Sequence, residues 1–403
     1  MSLTILQLVP EALPTHRADV AVLFGKYLPR AGVACDMVGM PSAAAADQQG
    51  YASLRRPAWH ASRLLREARF FWLCLRALLG ANRANCDLVQ ARDMVSIGLL
   101  AMLVARVKGL PFCYWVSFLM SEGRIERARA NLARKRSLRA YLVLWKGLAE
   151  KAVLYRLVLP GARHIFVQSD AMVAYMVAQG VPAARLSAVP MGVDMELFGA
   201  GISAGARPAG WEARPMLGYL GSMDKERQLQ TVVDALQLAR RQIPDACLLL
   251  VGAAANAADT EQLMAYVRQQ GLEDAVRITG WLPSSQAWQL LLSADAAVSY
   301  VPRNMLYDVS SPTKLLEYLA LGLPAVGNDI PDQAHVLSSS DAGWLTASDA
   351  ASMAQALVTI FQDTGAARAR AARGPAYLRA ARSYAVLSEQ VAQQYTAIVD
   401  AGK

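Results

Sequence analysis

The sequence predicts an α/β protein made of two doubly wound domains, each a parallel sheet with crossover helices. Three observations lead there. At 403 residues and 43.5 kDa the chain exceeds what one hydrophobic core usually supports. Short apolar runs alternate with helical stretches along its length. An aperiodic stretch rich in Gly, Pro and Ala, residues 199–215, interrupts that alternation, after which it restarts.

The elements follow in order. Residues 3–9 are a first strand, 18–31 a helix stopped by Gly32, and 33–38 a second strand. Residues 87–90 form a short strand, 95–108 a helix and 111–116 a strand again. Residues 162–168 are a strand leading into a helix from 170, where Ser169 or Asp170 caps. Residues 186–189 run into the turn Pro190-Met191-Gly192-Val193-Asp194. Beyond the linker, strands at 215–220, 246–251, 276–279, 296–300 and 324–327 alternate with helices at 228–242, 260–270, 284–293 and 314–321. Helices close the chain from residue 350. The predicted domains are 1–200 and 201–375, with 376–403 returning toward the first. In open parallel sheets ligands sit at the carboxyl ends of strands, so a cleft between the two domains is the expected site.

Composition narrows the class. Apolar residues make up 54% and charged residues 18%, which excludes disorder, coiled coil and collagen. Five cysteines at scattered spacings contain no C-x-x-C pair, so neither a disulfide framework nor a cysteine zinc site is expected, and a reducing compartment fits. Residues 2–9 are apolar but lack a basic leader and a cleavage site, so no signal peptide is expected. No run reaches the roughly 18 apolar residues of a membrane span.

The charge is uneven. Residues 1–200 hold 25 basic and 13 acidic side chains, and residues 201–403 hold 16 and 19. The net charge of +9 therefore resides in the first half, which is expected to meet an anionic surface. Two segments that lack Pro and Gly across long windows carry it and read as helices. Residues 54–83 interleave Arg55, Arg56, Arg63, Arg66, Arg69, Arg76 and Arg83 with Trp59, Phe70, Phe71 and Trp72. Residues 124–156 hold ten basic residues against Glu126 and Glu150, with Tyr141 to Trp145 in their midst. Basic helices with aromatic faces suit a headgroup layer; a solvated basic face over a core stripe is the plain alternative. Nucleic acid is not expected, because no zinc finger, RNA-recognition aromatic motif or basic tail is present.

The strongest local chemistry is Ser310-Ser311-Pro312-Thr313-Lys314 followed by Glu317 and the stop Leu321-Gly322-Leu323-Pro324. Free N–H groups at such a helix start hold an anion. Lys314 is disfavoured there by the helix dipole unless something negative lies close. Glu317, one turn on, can accept hydrogen bonds from sugar hydroxyls. The structural alternative makes Ser311 a cap and Glu317 a surface charge. A second feature is Leu217-Gly218-Tyr219-Leu220-Gly221-Ser222, a strand with a glycine turn before Arg227, whose guanidinium suits a phosphate. Leu250-Val251-Gly252 repeats the strand–glycine pattern, but a complete nicotinamide fingerprint is missing.

In their order these motifs resemble the retaining glycosyltransferases of family four, of the bacterial surface-polysaccharide type, which have the GT-B fold of two Rossmann-like domains facing each other across a cleft. The resemblance rests on Asp87 to Arg92, Gly109-Leu110-Pro111 and Pro190 to Asp194 with Phe198 in the first half. In the second it rests on Gly218 to Arg227, Leu250-Val251-Gly252, Thr279-Gly280-Trp281 and Ser311 through Val326. It implies a nucleotide-sugar donor in the second domain and metal-independent transfer with retention. Arg227 and Lys314 would stabilise the departing diphosphate, and Ser311, Thr313 and Gly221 would offer backbone to it. Glu317 would bind ribose, Gly280 and Trp281 would lie beside the base, and Asp308 would lie near the sugar. The first domain would hold the acceptor, with Arg92, Ser117 and Glu122 on its side.

Three positions depart from the family pattern. Its paired-glutamate motif places the first glutamate at 309, where this chain has Val309 with Asp308 beside it. One member of its basic pair is replaced by Tyr219 or Gly221. No histidine follows the strand ending at Val116-Ser117. The four histidines, His16, His60, His164 and His335, fit no metal spacing. The expected activity is hexosyl transfer to a lipid-linked acceptor, by a protein peripheral on the cytoplasmic membrane face. The competing readings are an epimerase on the same fold and a degenerate transferase-like docking module.

Overall fold

The computed structural model describes residues 3–15, 17–42, 50–198 and 202–402. His16 and residues 199–201 of the predicted linker lie outside the described residues. The chain divides into two compact units, Met1–Met191 with Tyr384–Lys403, and Gly192–Ser383.

The first unit contains β1 (Leu3–Leu13), β2 (Val33–Pro41), β3 (Ser53–Arg55), β4 (Leu88–Arg92), β5 (Phe112–Val116), β6 (His164–Val167) and β7 (Leu186–Ala188). They form one parallel sheet in the order β3-β2-β1-β4-β5-β6-β7. Every residue of β4 and β5 is buried, as expected of strands covered by helices on both faces. The helix Val95–Lys108 ends where Gly109 adopts φ +66, a left-handed cap that L side chains rarely take. Ser169 caps the helix Asp170–Ala178 by accepting from the Met172 amide at 3.0 Å. The helix Tyr384–Asp400 completes this unit. Its Tyr395 is wholly buried, packs edge-on against Phe166 and donates to Gln90 at 2.9 Å.

The second unit contains β8 (Met216–Leu220), β9 (Cys247–Val251), β10 (Val276–Ile278), β11 (Ala296–Ser299), β12 (Ala325–Asn328) and β13 (Gly343–Thr346). Their parallel order is β10-β9-β8-β11-β12-β13. The helix Gly374–Ala381 belongs here: Gly374 lies so close to Leu319 that an added Cβ would come within 2.6 Å of its carbonyl oxygen. Linker residues pack on this unit too, with Arg207 gripping both oxygens of Asp295 at 2.9 Å. Both doubly wound domains expected from the sequence are present. In each, the strand order reverses beside the first strand, between β1 and β4 and between β8 and β11, where chain crossovers diverge and leave room for a ligand.

Two expectations need correction. Residues 54–83 are not one helix: Leu54 and Arg55 lie in the edge strand β3, and the helix is Arg63–Gly80. Residues 124–156 are an antiparallel pair, Met120–Arg134 and Leu138–Val153. The break falls at Lys135, which is extended, and Ser137 starts the next helix by accepting from the Ala140 amide at 3.2 Å. The two helices close tightly at Gly147, where a Cβ would lie 2.9 Å from Ile125. No helix among the described residues is long and apolar enough to cross a membrane.

Candidate functional site

Three glycines form the floor at the carboxyl ends of β8, β9 and β10. Gly221 has φ +143 and Gly252 φ +138, conformations almost reserved for glycine. Their backbones nearly touch: a Cβ on Gly252 would sit 2.1 Å from the Gly221 carbonyl. The Gly221 amide donates to Val251 at 3.0 Å, and Gly252 bridges to Gly280, which has φ +78. This bare backbone lets a ligand approach the strand ends closely.

The helix Thr313–Ala320 points its N-terminus into this region and is anchored from behind. Tyr318, fully buried, accepts from the Leu220 amide at 2.8 Å and so ties the helix to the end of β8. Lys314 in the first turn donates to the Tyr219 phenol at 2.6 Å and lies 4.3 Å above its ring, and that phenol donates on to the Ser222 carbonyl at 3.1 Å. Arg227 follows β8 on the short turn Lys225–Arg227, with its Nε 3.3 Å from the Ser222 hydroxyl and its guanidinium 5.8 Å from the Tyr307 ring. Among the described residues neither Lys314 nor Arg227 makes an ion pair. Burial pushes the Lys314 amine down to about 7, the neighbouring Arg227 charge adds to the depression, and Glu317 opposes it. Two cations and a helix N-terminus thus converge with no dedicated carboxylate.

Glu317 stands one turn behind Lys314. Burial pushes its carboxyl up, against the pull of the Trp288 hydrogen bond and of Lys314. The Trp288 indole donates to Oε2 at 3.0 Å and its ring packs 4.5 Å from Phe198. One carboxylate oxygen is held and oriented, and the other remains to accept.

A second polar centre lies in the first unit at the ends of β1, β4 and β5. Arg92, completely buried, meets Asp19 at 2.6 Å, Glu11 at 3.2 Å and Asp93 at 3.5 Å. Asp93, in the left-handed region at φ +52, accepts the Ser117 amide at 2.8 Å and also its hydroxyl. Arg17 reaches the same hydroxyl at 3.0 Å. Burial pushes Asp19 up, but Arg92 and Arg17 overcome it and hold the carboxyl below its usual range; for Glu11 burial wins and the carboxyl is raised. Among the described residues, one buried nitrogen of Arg92 and one buried oxygen of Glu11 find no partner.

Residues 19–197 match the family model Glycosyltransferase Family 4, and residues 214–363 match Glycosyl transferases group 1. Both models are of glycosyltransferases, and the fold is GT-B. No curated protein sequence matches it. Among solved structures it is similar to a glycosyltransferase from Rickettsia africae, with TM-score 0.72, 13% identity and 99% of each chain covered. Sucrose-phosphate synthase from Thermosynechococcus elongatus gives TM-score 0.68, 19% identity and coverage of 99% of this chain and 100% of that one. The Anabaena protein HepE in complex with UDP-glucose gives 0.68, 14%, 98% and 100%. At these identities the likeness is one of fold.

On this glycosyltransferase fold the sequence-named residues separate into groups. Gly221, Arg227, Lys314 and Glu317 cluster at the end of β8, with Thr313 as the first residue of the helix. Gly280 ends the neighbouring row and Trp281 beside it is 77% exposed. Ser311 is buried, and its hydroxyl donates to Asp332 at 2.7 Å and accepts from Arg382 at 2.9 Å, so its side chain braces the loop before the helix. Asp308 is gripped by Arg303 at 2.8 and 3.1 Å. Val309 is buried and offers no side-chain acceptor. Arg92 and Ser117 lie in the second centre, whereas buried Glu122 is held by Ser121 at 2.7 Å and by Lys151 and Tyr175 at 3.3 Å. Among the described residues no group of three or more His, Cys, Asp or Glu is placed to hold a metal ion.

Sequence reasoning missed Glu11, Asp19, Asp93 and Trp288. Glu11 does carry a signal: a carboxylate in an apolar run, just after Pro10, stands out where a charge needs a partner. Trp288 gives none, for it meets Glu317 only through the fold.

Proposed function

We propose that this chain transfers a hexosyl group, with retention and without a metal, from a nucleoside-diphosphate sugar to a lipid-linked acceptor at the cytoplasmic face of a membrane. The observation that carries this reading is the unpaired pair Lys314 and Arg227 at the tip of the helix Thr313–Ala320, above bare glycine backbone. Such a site is complementary to a pyrophosphate. Glu317, oriented by Trp288, takes the ribose hydroxyls through its remaining oxygen. HepE, solved with UDP-glucose, makes uridine the first base to try.

The chemistry asks little covalent work of the protein. The bond from the anomeric carbon to the diphosphate breaks, and the leaving oxygen gathers charge. Lys314, Arg227 and the helix N-terminus stabilise that charge, while the acceptor hydroxyl enters on the face the diphosphate leaves. Its proton passes to the departing phosphate oxygen. Donors preorganised in this way are each worth about 10²–10³ in rate.

Support for the membrane comes from the first unit. On the helix Arg63–Gly80, Phe70, Cys74, Ala77 and Leu78 turn inward, leaving Trp72 60% exposed between Arg69 and Arg76. On Leu138–Val153, Trp145 is 69% exposed and Leu142 62%, beside Arg139 and Lys146. Exposed tryptophans among basic side chains match a headgroup layer. The reading of this unit as the acceptor side has the same basis.

The test is titration calorimetry with UDP and UDP-glucose, with transfer assayed on the same preparations. Arg227→Ala and Glu317→Ala should lose transfer while unfolding at the wild-type temperature. Full turnover by both variants removes the assignment. Flotation with vesicles containing phosphatidylglycerol should carry the wild-type chain, and added salt should release it; salt-insensitive attachment opposes the headgroup model.

A further inference from the structure

The helices Arg63–Gly80, Val95–Lys108 and Leu138–Val153, with the turn Leu154–Val158, pack on one another along one layer of the first unit. At one end of that layer, beside the amino end of β5, lies a concavity of about 580 Å³. This is the opposite end of the sheet from Arg92 and Ser117. Arg106, Arg163 and Arg185 line it together with Met102, Pro111 and Pro160. Among the described residues none of these arginines pairs with a carboxylate. Arg185 donates to the Pro160 carbonyl at 2.9 Å and Arg163 to the Ala401 carbonyl, which uses one N–H of each guanidinium.

Exposed aliphatic side chains neighbour the lining residues in sequence: Val107, next to Arg106, is 88% exposed, and Leu103, next to Met102, and Leu157, three residues before Pro160, are about half exposed. A pocket for a free anion has no use for bare aliphatic side chains on the segments that build it. Guanidinium forks match phosphate oxygens in pairs, and aliphatic neighbours match the acyl chains beneath a phosphate. We propose that this concavity binds the phosphate of an anionic phospholipid headgroup while Leu103, Val107 and Leu157 enter the acyl boundary. It would be a fixed point of attachment, separate from the tryptophans of the neighbouring helices. The proposal rests on the membrane reading above and adds a defined site to it.

The test uses the full chain and three variants. One replaces the cluster (Arg106→Gln, Arg163→Gln, Arg185→Gln). One removes equal charge elsewhere (Arg241→Gln, Arg268→Gln, Arg379→Gln). One alters the aromatic face (Trp72→Ser, Trp145→Ser). Flotation compares neutral phosphatidylcholine vesicles with vesicles that also contain phosphatidylglycerol. The cluster variant should partition roughly a hundredfold more weakly onto the anionic vesicles, as expected for three basic contacts, and the charge-matched variant should equal wild type. Equal loss in both sets overturns the site in favour of diffuse charge. Undiminished binding by the cluster variant, with loss in the tryptophan variant, overturns the site and leaves the membrane reading standing. A wild-type chain that floats with neither vesicle ends both. Monomeric dihexanoylphosphatidylglycerol should raise the wild-type melting temperature and not that of the cluster variant. An equal rise with inorganic phosphate alone makes it a free-anion site and overturns the lipid. If the triple substitution prevents folding, Arg106→Gln alone, at an exposed side chain without a protein hydrogen bond, carries the same comparison.

Discussion

The ammonium of Lys314 donates a 2.6 Å hydrogen bond to the phenol of Tyr219 and meets no carboxylate at ion-pair distance. A buried cation so placed is short of negative charge. Its pKa of about 7 follows from burial first and from Arg227 second.

The first prediction is a proton linkage. Between pH 7 and about 10 the unfolded chain holds a proton at this lysine that the folded chain has lost. Stability from this group therefore rises with pH across that window, and Lys314→Met should flatten the slope in urea denaturation. A bound diphosphate restores the charge, so binding takes up a proton above pH 7. Affinity for UDP should fall as pH rises from 7 to 9, by up to tenfold per unit. Calorimetry in two buffers of different ionisation enthalpy should show the uptake in wild type and not in Lys314→Met.

Glu317→Gln is expected to fold, because the amide oxygen can still accept from Trp288. It exchanges an ionised acceptor for a neutral one, and UDP affinity should drop 10- to 100-fold, about 1.5–3 kcal/mol. Deoxyribose analogues should lose affinity in wild type but lose little more in this variant, a coupling that a double-mutant-style cycle reads directly.

The glycine floor should respond in a fixed order. Gly252→Ala presses a methyl onto the Gly221 backbone at 2.1 Å, which cannot give way. Gly221→Ala meets the end of Lys314 at 2.6 Å, a flexible side chain that can move but would leave its place. Gly280→Ala meets nothing within 4 Å and bears only the cost of its φ, about 1 kcal/mol. Melting temperatures should fall most for Gly252, and donor affinity should suffer at Gly221 out of proportion to stability.

Arg92→Met should destabilise the chain by about 3–5 kcal/mol, since it leaves Asp19, Glu11 and Asp93 without their common partner. Asp19 would lose the neighbour that holds its carboxyl down. Chemical denaturation of the variant should show a loss that shrinks as acid protonates Glu11 and then Asp19.

The parts legible in the sequence were those written in one local stretch. Cys247–Val251 is apolar at every position and could only be a covered strand. Val95–Lys108 announces its own end through Gly109. The helix tip at Thr313 was readable because Lys314 breaks a local rule there. What escaped was decided at a distance. The break at Lys135 has neither Gly nor Pro; it exists because Gly147 lets the next helix lie back on Ile125. The first strand, read as residues 3–9, in fact continues to Leu13. The strand Gly343–Thr346 went unread because it is a short edge with exposed Leu345. The Arg92 centre joins three strand ends that are far apart in the chain.

The helix Tyr384–Asp400 fills the core around Phe166 and Gln90. That lobe therefore stays unfinished until Tyr384–Asp400 has left the ribosome, by which point the whole of the six-stranded lobe has already been made.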